Sequence, residues 1–203
     1  IGYLNQDGII PSDNFKRYNF RSNIDAEVTN TTTLSFDISG RDEKSNAVAS
    51  PDYFRWVSAI PPNRSPIKWS NGGYSSGPAY LAEPENGYRK RGIQSFKGRV
   101  ELNQQLPVKG LSVKAIASYD KTLTDNKNWI FPNVPFFDRL PDGSFVEGTP
   151  LASSLDQDHN DYQSVTMEAH LNYTTSIGKS NLTGLLLYTE TKESWNFLGA
   201  FRD

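Results

Sequence analysis

Cysteine is absent from this 203-residue chain, which excludes thiol catalysis, a disulfide framework and thiolate metal sites. Long apolar runs are also missing, and with a mean hydropathy of −0.60 there is no transmembrane helix. A membrane β-barrel is not excluded, because alternation halves the apolar content of every strand. Neither sign of charge is in large excess. Lys and Arg number 21 against 23 Asp and Glu, a net charge of −2 with no basic arm, so bulk electrostatics gives no case for nucleic acid. No Ser/His/Asp arrangement and no phosphate-cradling glycine loop occurs, so nothing supports an enzyme or a bound cofactor. Aromatic residues are plentiful: they make up 12% of the chain, with ten tyrosines and four tryptophans.

Their placement is informative in the stretch Phe15 to Val28. Its even positions, from Tyr18 and Phe20 to Ile24, Ala26 and Val28, are apolar or aromatic apart from Lys16 and Ser22. After Phe15, its odd positions, Arg17, Asn19, Arg21, Asn23, Asp25 and Glu27, are all polar. Successive side chains of a strand point to opposite faces, so this is a β-strand with one apolar and one wet face. It exceeds the roughly 9–11 tilted residues that a barrel strand needs to cross a bilayer.

The same alternation recurs along the chain. It predicts strands over about 1–6, 15–28, 33–41, 94–106, 111–121, 162–175 and 181–192. Tight turns follow from Thr29-Asn30-Thr31-Thr32, Pro107-Val108-Lys109-Gly110 and Ser176 to Ser180. Two long connections, about 42–93 and 122–160, are rich in Pro, Gly, Asn and Ser. The first holds a short helix expected over Pro51 to Ile60, capped by Ser50. From Phe15 onward the connections alternate short and long, so an antiparallel meander gathers the short turns on one rim and the long loops on the other. That segregation suits a membrane barrel with short periplasmic turns and long extracellular loops.

Charge decides which face meets lipid. An Arg or Lys at the midplane of a bilayer costs about 2–4 kcal/mol, and Arg17, Arg21, Asp25, Glu27, Arg99 and Glu101 all stand on the polar rows, which therefore face the lumen. Tyr18, Phe20, Phe96, Tyr119 and Tyr188 fall toward the long-loop ends of the apolar rows, as an interfacial girdle does. Glu190 and Lys192 break this pattern unless their strand continues above the membrane. Ile116, Leu185 and Leu187 intrude on the wet rows. Seven strands at most do not close a barrel, so the fold class is all-β, an open segment of a larger outer-membrane barrel wall. The chain begins in strand-like sequence at Ile1 and ends on Ala200-Phe201-Arg202-Asp203, and is read as cut at both ends.

Several runs resemble SusC/RagA-family TonB-linked outer-membrane proteins, common in Bacteroidota. They are Gly2-Tyr3-Leu4-Asn5-Gln6-Asp7-Gly8, then Lys16-Arg17-Tyr18-Asn19-Phe20-Arg21-Ser22-Asn23-Ile24-Asp25, then Ala59-Ile60-Pro61-Pro62, and finally Gly110-Leu111-Ser112-Val113-Lys114 with Ser118-Tyr119-Asp120. The resemblance implies a barrel of roughly 22 strands with a plug in its lumen. It also implies import of oligosaccharides or peptides, driven by TonB and capped by a SusD-like surface lipoprotein, in a Gram-negative outer membrane. Plug and TonB-contacting segment would precede Ile1, and Arg17, Arg21, Asp25, Glu27, Arg99 and Glu101 would face the plug or a polar path.

The loop aromatics Tyr53, Trp56, Trp69, Tyr74, Trp129 and Phe136 suit glycan capture, since apolar sugar faces stack on rings. Packing of the loops together or against a lid protein is the more common use of such rings. Arg89-Lys90-Arg91 suits lipopolysaccharide phosphates, although three exposed cations usually form only a solvated face. Asp156 to Asp161, with His159, offers oxygen ligands but not the spacing of a calcium loop, and reads as a solvated loop. Arg41-Asp42-Glu43 reads as a hydrated rim, and His170 as lumen-facing. The competing reading is a soluble all-β carbohydrate-binding module, which needs facing sheets that bury Phe20, Ile24, Val100, Val113 and Leu171 together. A passive porin would require that no plug precede the segment.

Overall fold

The computed structural model describes the chain except residues 11, 50–52, 60, 62, 64–65, 151 and 203, and the side chains at 53, 56, 57, 78 and 81 also lie outside the description. Its elements are β1 (Gly2–Asp7), β2 (Asn14–Thr29), β3 (Thr32–Val48), α1 (Tyr53–Ala59), β4 (Tyr74–Ser75), α2 (Pro78–Leu81), β5 (Gly87–Gln105), β6 (Leu111–Ile130), β7 (Phe136–Arg139), β8 (Phe145–Glu147), β9 (Ser154–Ile177) and β10 (Ser180–Arg202). Seven of them make one antiparallel sheet in the order β1-β2-β3-β5-β6-β9-β10, while β4, β7 and β8 make a small second sheet between the long loops. The chain is thus an all-β meander and an open segment of a barrel wall. Helix α1 falls inside the expected 51–60 helix, whose Ser50 cap and Pro51 and Ile60 ends lie outside the described residues.

The short turns form where the sequence places them. Thr29 pairs with Thr32 across a two-residue connection, and Ile177 pairs with Ser180 around Gly178, whose φ of 62° a side chain would strain. On the other rim the strands outrun the alternating pattern. β3 continues to Val48 rather than 41, β5 starts at Gly87 rather than 94, β6 reaches Ile130, β9 starts at Ser154 and β10 reaches Arg202. Past the aromatic girdle both rows are largely polar, so backbone pairing persists after the hydrophobic period has gone.

Register keeps the faces intact across the sheet. Ile24 stands beside Phe36, then Val100, Ala117 and Met167, and on the other face Asn23 stands beside Asp37, Arg99, Ser118 and Thr166. The upper edge of the apolar band moves toward the short-turn rim from β2 to β10, with Tyr119 and Val165 on one rung and the largest step between β9 and β10. The rung through Tyr18 passes Asp42, Gln94, Leu123 and Asp161 to Asn196, so Tyr188, at the band's upper edge on β10, lies eight residues below it. Eight residues span roughly 26 Å of strand and five strand spacings roughly 24 Å, so a level band sets the strands at about 45° to its normal, close to the tilt of membrane barrels. That tilt lifts Glu190 and Lys192 above the band although they pair with Met167 and Val165.

No sandwich core forms. Among the described residues the buried apolar side chains are Ile10, Val48, Ala49, Tyr80 and Ile116, whereas Ile24 is 55% exposed and Phe20, Val100 and Leu171 are also exposed. No second sheet covers the band among the described residues, so the requirement of the soluble module is not met.

Candidate functional site

The six charged residues read as lumen-facing share one face of the sheet, termed inner after that reading, and the opposite face is termed outer. Arg17, Arg21, Asp25 and Glu27 share the odd row of β2, and Arg99 and Glu101 the odd row of β5, two strands away in the sheet. Glu101 gathers two cations: Lys114 Nζ lies 2.6 Å from Oε1 and Arg99 donates to Oε2 at 2.7 Å. Glu43 takes Arg41 at 3.6 Å and Arg17 at 4.0 Å, which links β2 to β3. Arg21 Nε donates to Asn23 Oδ1 at 3.2 Å, and Asn23 in turn donates to Asp37. Asp25 and Glu27 make no ion pair or side-chain hydrogen bond among the described residues. Exposed pairs of this kind are each worth about 0–1 kcal/mol, so they shape the potential of the wall more than its stability.

Three smaller readings change. Arg41, Asp42 and Glu43 are not a rim but lie within β3, with Arg41 and Glu43 inward and Asp42 outward beside Lys44 at 3.8 Å. Arg89-Lys90-Arg91 is split by the strand, so Lys90 alone stands on the outer row. Its Nζ lies 4.2 Å from the ring of Tyr88, and inward-facing Arg89 donates to the Val48 carbonyl at 3.0 Å. Asp156 to Asp161 is strand rather than loop: His159 meets Asp125 at 2.6 Å on the outer face, and Asp158 accepts from Asn126 at 2.8 Å on the inner face. His170 sits on the inner row, with Nε2 2.9 Å from Glu168. Ile116, on that row between Glu101 and Glu168 on its neighbours, is buried, whereas Leu185 and Leu187 are exposed. Among the described residues no group of three or more His, Asp or Glu is placed to hold a metal.

Of the loop aromatics, the structure unites Trp69, Tyr74 and Phe136. Tyr74 pairs with Phe136 where β4 meets β7, Trp69 Nε1 donates to the Phe137 carbonyl at 2.6 Å, and its ring lies 5.7 Å from that of Phe145. Buried Tyr80 packs on Phe136 with ring centroids 5.0 Å apart. Burial pushes the Tyr80 hydroxyl pKa up, and a hydrogen bond to Glu83 raises that of Tyr74. Buried Asn86 completes the hub: its Nδ2 donates to the Tyr80 carbonyl at 2.8 Å, and its Oδ1 accepts from the backbone N–H of Asn133 and Val134 at 3.0 and 2.9 Å. These rings tie one long loop to the other. Trp129 lies apart at the top of β6, with Tyr88 and Phe131 each 5.4 Å away. The side chains of Tyr53 and Trp56 lie outside the described residues.

One row escaped the sequence reading. Beyond Lys192 the inner row of β10 runs Glu193, Trp195, Phe197, Gly199 and Phe201. The signal was present as Trp-x-Phe-x-Gly-x-Phe, but it falls on the inner rather than the outer parity, where an apolar residue does not mark a lipid-facing strand.

No protein-family model matches the chain, and no curated protein matches it. Solved structures do. A chain of the RagAB peptide importer in its closed-closed state matches with a TM-score of 0.71 at 19% identity, over 98% of this chain and 23% of that one. The RagAB peptide transporter matches with a TM-score of 0.64 at 18% identity, and the open-open state of the importer with 0.64 at 21%. The chain spans about a quarter of the length of those chains. Its fold, from first strand to last, is that of one stretch of the RagAB importer chain.

Proposed function

We propose that this chain is part of the barrel wall of a TonB-dependent outer-membrane transporter that imports peptides beneath a SusD-like surface lipoprotein. The observation that carries the reading is the level apolar band at about 45° to the strands, backed by a charged inner face and joined to the fold of a peptide importer. In this reading Arg17, Arg21, Asp25, Glu27, Arg99 and Glu101 face the transporter's own plug or the polar path beside it. The outer row meets lipid and, above Tyr18 and Tyr119, lipopolysaccharide. Peptide is favoured over oligosaccharide because the solved chains whose fold this segment shares belong to a peptide importer. Energy would come from TonB, through a segment outside this chain.

Uptake of a fluorescent decapeptide by cells carrying the intact gene, compared with cells lacking it or lacking TonB, tests the reading. Loss of uptake in both supports it. Undiminished peptide uptake together with lost oligosaccharide uptake moves the substrate to glycans. Outer-membrane fractions without the protein overturn the reading altogether.

A further inference from the structure

We infer that the inner face of the upper β9–β10 hairpin is a docking wall for cationic peptides, an inference that rests on the transporter reading and adds the charge of the substrate to it. Trp195, Phe197 and Phe201 stand on the inner row of β10, the last strand in the sheet order, and among the described residues no other element of this chain covers them. Their neighbours across the ladder are Tyr162, Asn160 and Asp156, with Gly199 beside Asp158. Trp195 lies roughly 16 Å above the edge of the apolar band, on a strand rise of about 3.3 Å per residue, so these rings line the mouth and not the lipid zone.

The wall is built rather than scattered. The Trp195 indole N–H donates to Asn160 Oδ1 at 3.0 Å, which fixes the ring, and the Tyr162 hydroxyl donates to Glu193 Oε1 at 2.8 Å. A Cβ on Gly199 would stand 3.1 Å from Cε1 and Cζ of Phe197, so the missing side chain leaves that ring free to lie along the row toward Phe201.

Charge selects the occupant. Asp156, Asp158 and Glu193 flank the rings, and no Lys or Arg occurs on the inner row of β9 or β10. The cations of the inner face stand on other strands: Arg17 and Arg21 on β2, Arg41 on β3, and Arg89, Arg91, Lys97 and Arg99 on β5. Lys114 on β6 lies near the short-turn end beside His170 and is paired with Glu101. Aromatic faces beside carboxylates attract ammonium and guanidinium groups through cation–π and charge-assisted contacts. An acidic peptide is repelled there, and a neutral oligosaccharide has no use for the net charge.

The test uses the intact transporter in detergent at low salt, with two dye-labelled decapeptides, alternating Lys-Ala and alternating Glu-Ala, and maltoheptaose as competitor. The Lys peptide is expected to bind more tightly. D156N/D158N should weaken it roughly tenfold, as two lost exposed pairs would, and leave the Glu peptide unchanged or tighter. W195A should weaken the Lys peptide as well. Equal binding of both peptides, or no effect of the double variant in protein that keeps its folded electrophoretic mobility, overturns this inference and leaves peptide import standing. Should the double variant fail to fold, the comparison of the two peptides on the unaltered protein decides. Binding of maltoheptaose with neither peptide bound overturns peptide import itself.

Discussion

The ring of Phe20 occupies the space that a side chain on Gly40 would fill: the two are cross-strand neighbours on the outer face, and a Cβ on Gly40 would collide with the ring edge. An aromatic residue covers the glycine of the next strand, which seals the band where β3 has no side chain of its own. Gly40→Leu should therefore destabilise the intact protein by about 1–3 kcal/mol, the range for overpacking. Adding Phe20→Ala should recover much of that loss. Thermal loss of folded electrophoretic mobility in the two single variants and the double variant measures the coupling; additive effects would mean that the ring does not pack over Gly40.

Ile24 lies mid-band, between flanking rungs of apolar residues, so its two substitutions should differ sharply. Ile24→Ala should assemble normally. Ile24→Arg places a guanidinium in the lipid zone at about 2–4 kcal/mol and should sharply reduce the amount reaching the outer membrane, as quantified by fractionation.

Asn86→Ala should loosen the loops and not the wall. It strips the Tyr80 carbonyl and two backbone N–H groups of their partner, and buried groups left unpaired cost about 1–3 kcal/mol. Limited proteolysis should cut within 66–86 and 131–148 faster in the variant, while the thermal transition of the barrel stays in place.

Tyr74 gives the loop hub an alkaline dependence. Its pKa is raised, chiefly by the hydrogen bond to Glu83, from the ordinary value of 10.0. A raised pKa means that the folded hub holds the proton more tightly. The stabilisation is therefore complete below pH 10.0 and fades as pH rises through the folded-state value. Fluorescence of neighbouring Trp69 should report loosening above that pH, and Tyr74→Phe should remove that component of the transition.

Much of the wall was legible in the sequence because a period of two requires only that one row be apolar. Phe15 to Val28 alone separates an apolar row from a polar one, and the register carries that separation across the sheet. What could not be read was where strands end. Above Tyr119 and Phe96 the outer row becomes Lys121 and Gln94, so polarity no longer distinguishes strand from loop, and 42–48, 87–93, 122–130 and 154–160 passed as loop. The aromatic row of β10 was missed for the related reason that Trp195 and Phe197 are apolar on the inward parity. The loop aromatics were visible as candidates, but only the pairing of β4 with β7, distant in sequence, shows that Trp69, Tyr74 and Phe136 join two loops.

The proposed wall requires that the even-numbered row of β2 face lipid and its odd-numbered row not. One spin label at a time is placed through single cysteines from Tyr18 to Val28 in the intact protein within a bilayer; these 203 residues hold no cysteine of their own, and any elsewhere in the protein is first replaced by serine. Accessibility to oxygen, which concentrates in lipid, should peak at Phe20, Ile24 and Ala26 and drop at Arg21, Asn23 and Asp25, with a period of two. A flat profile, or a period of two in the opposite phase, would contradict it.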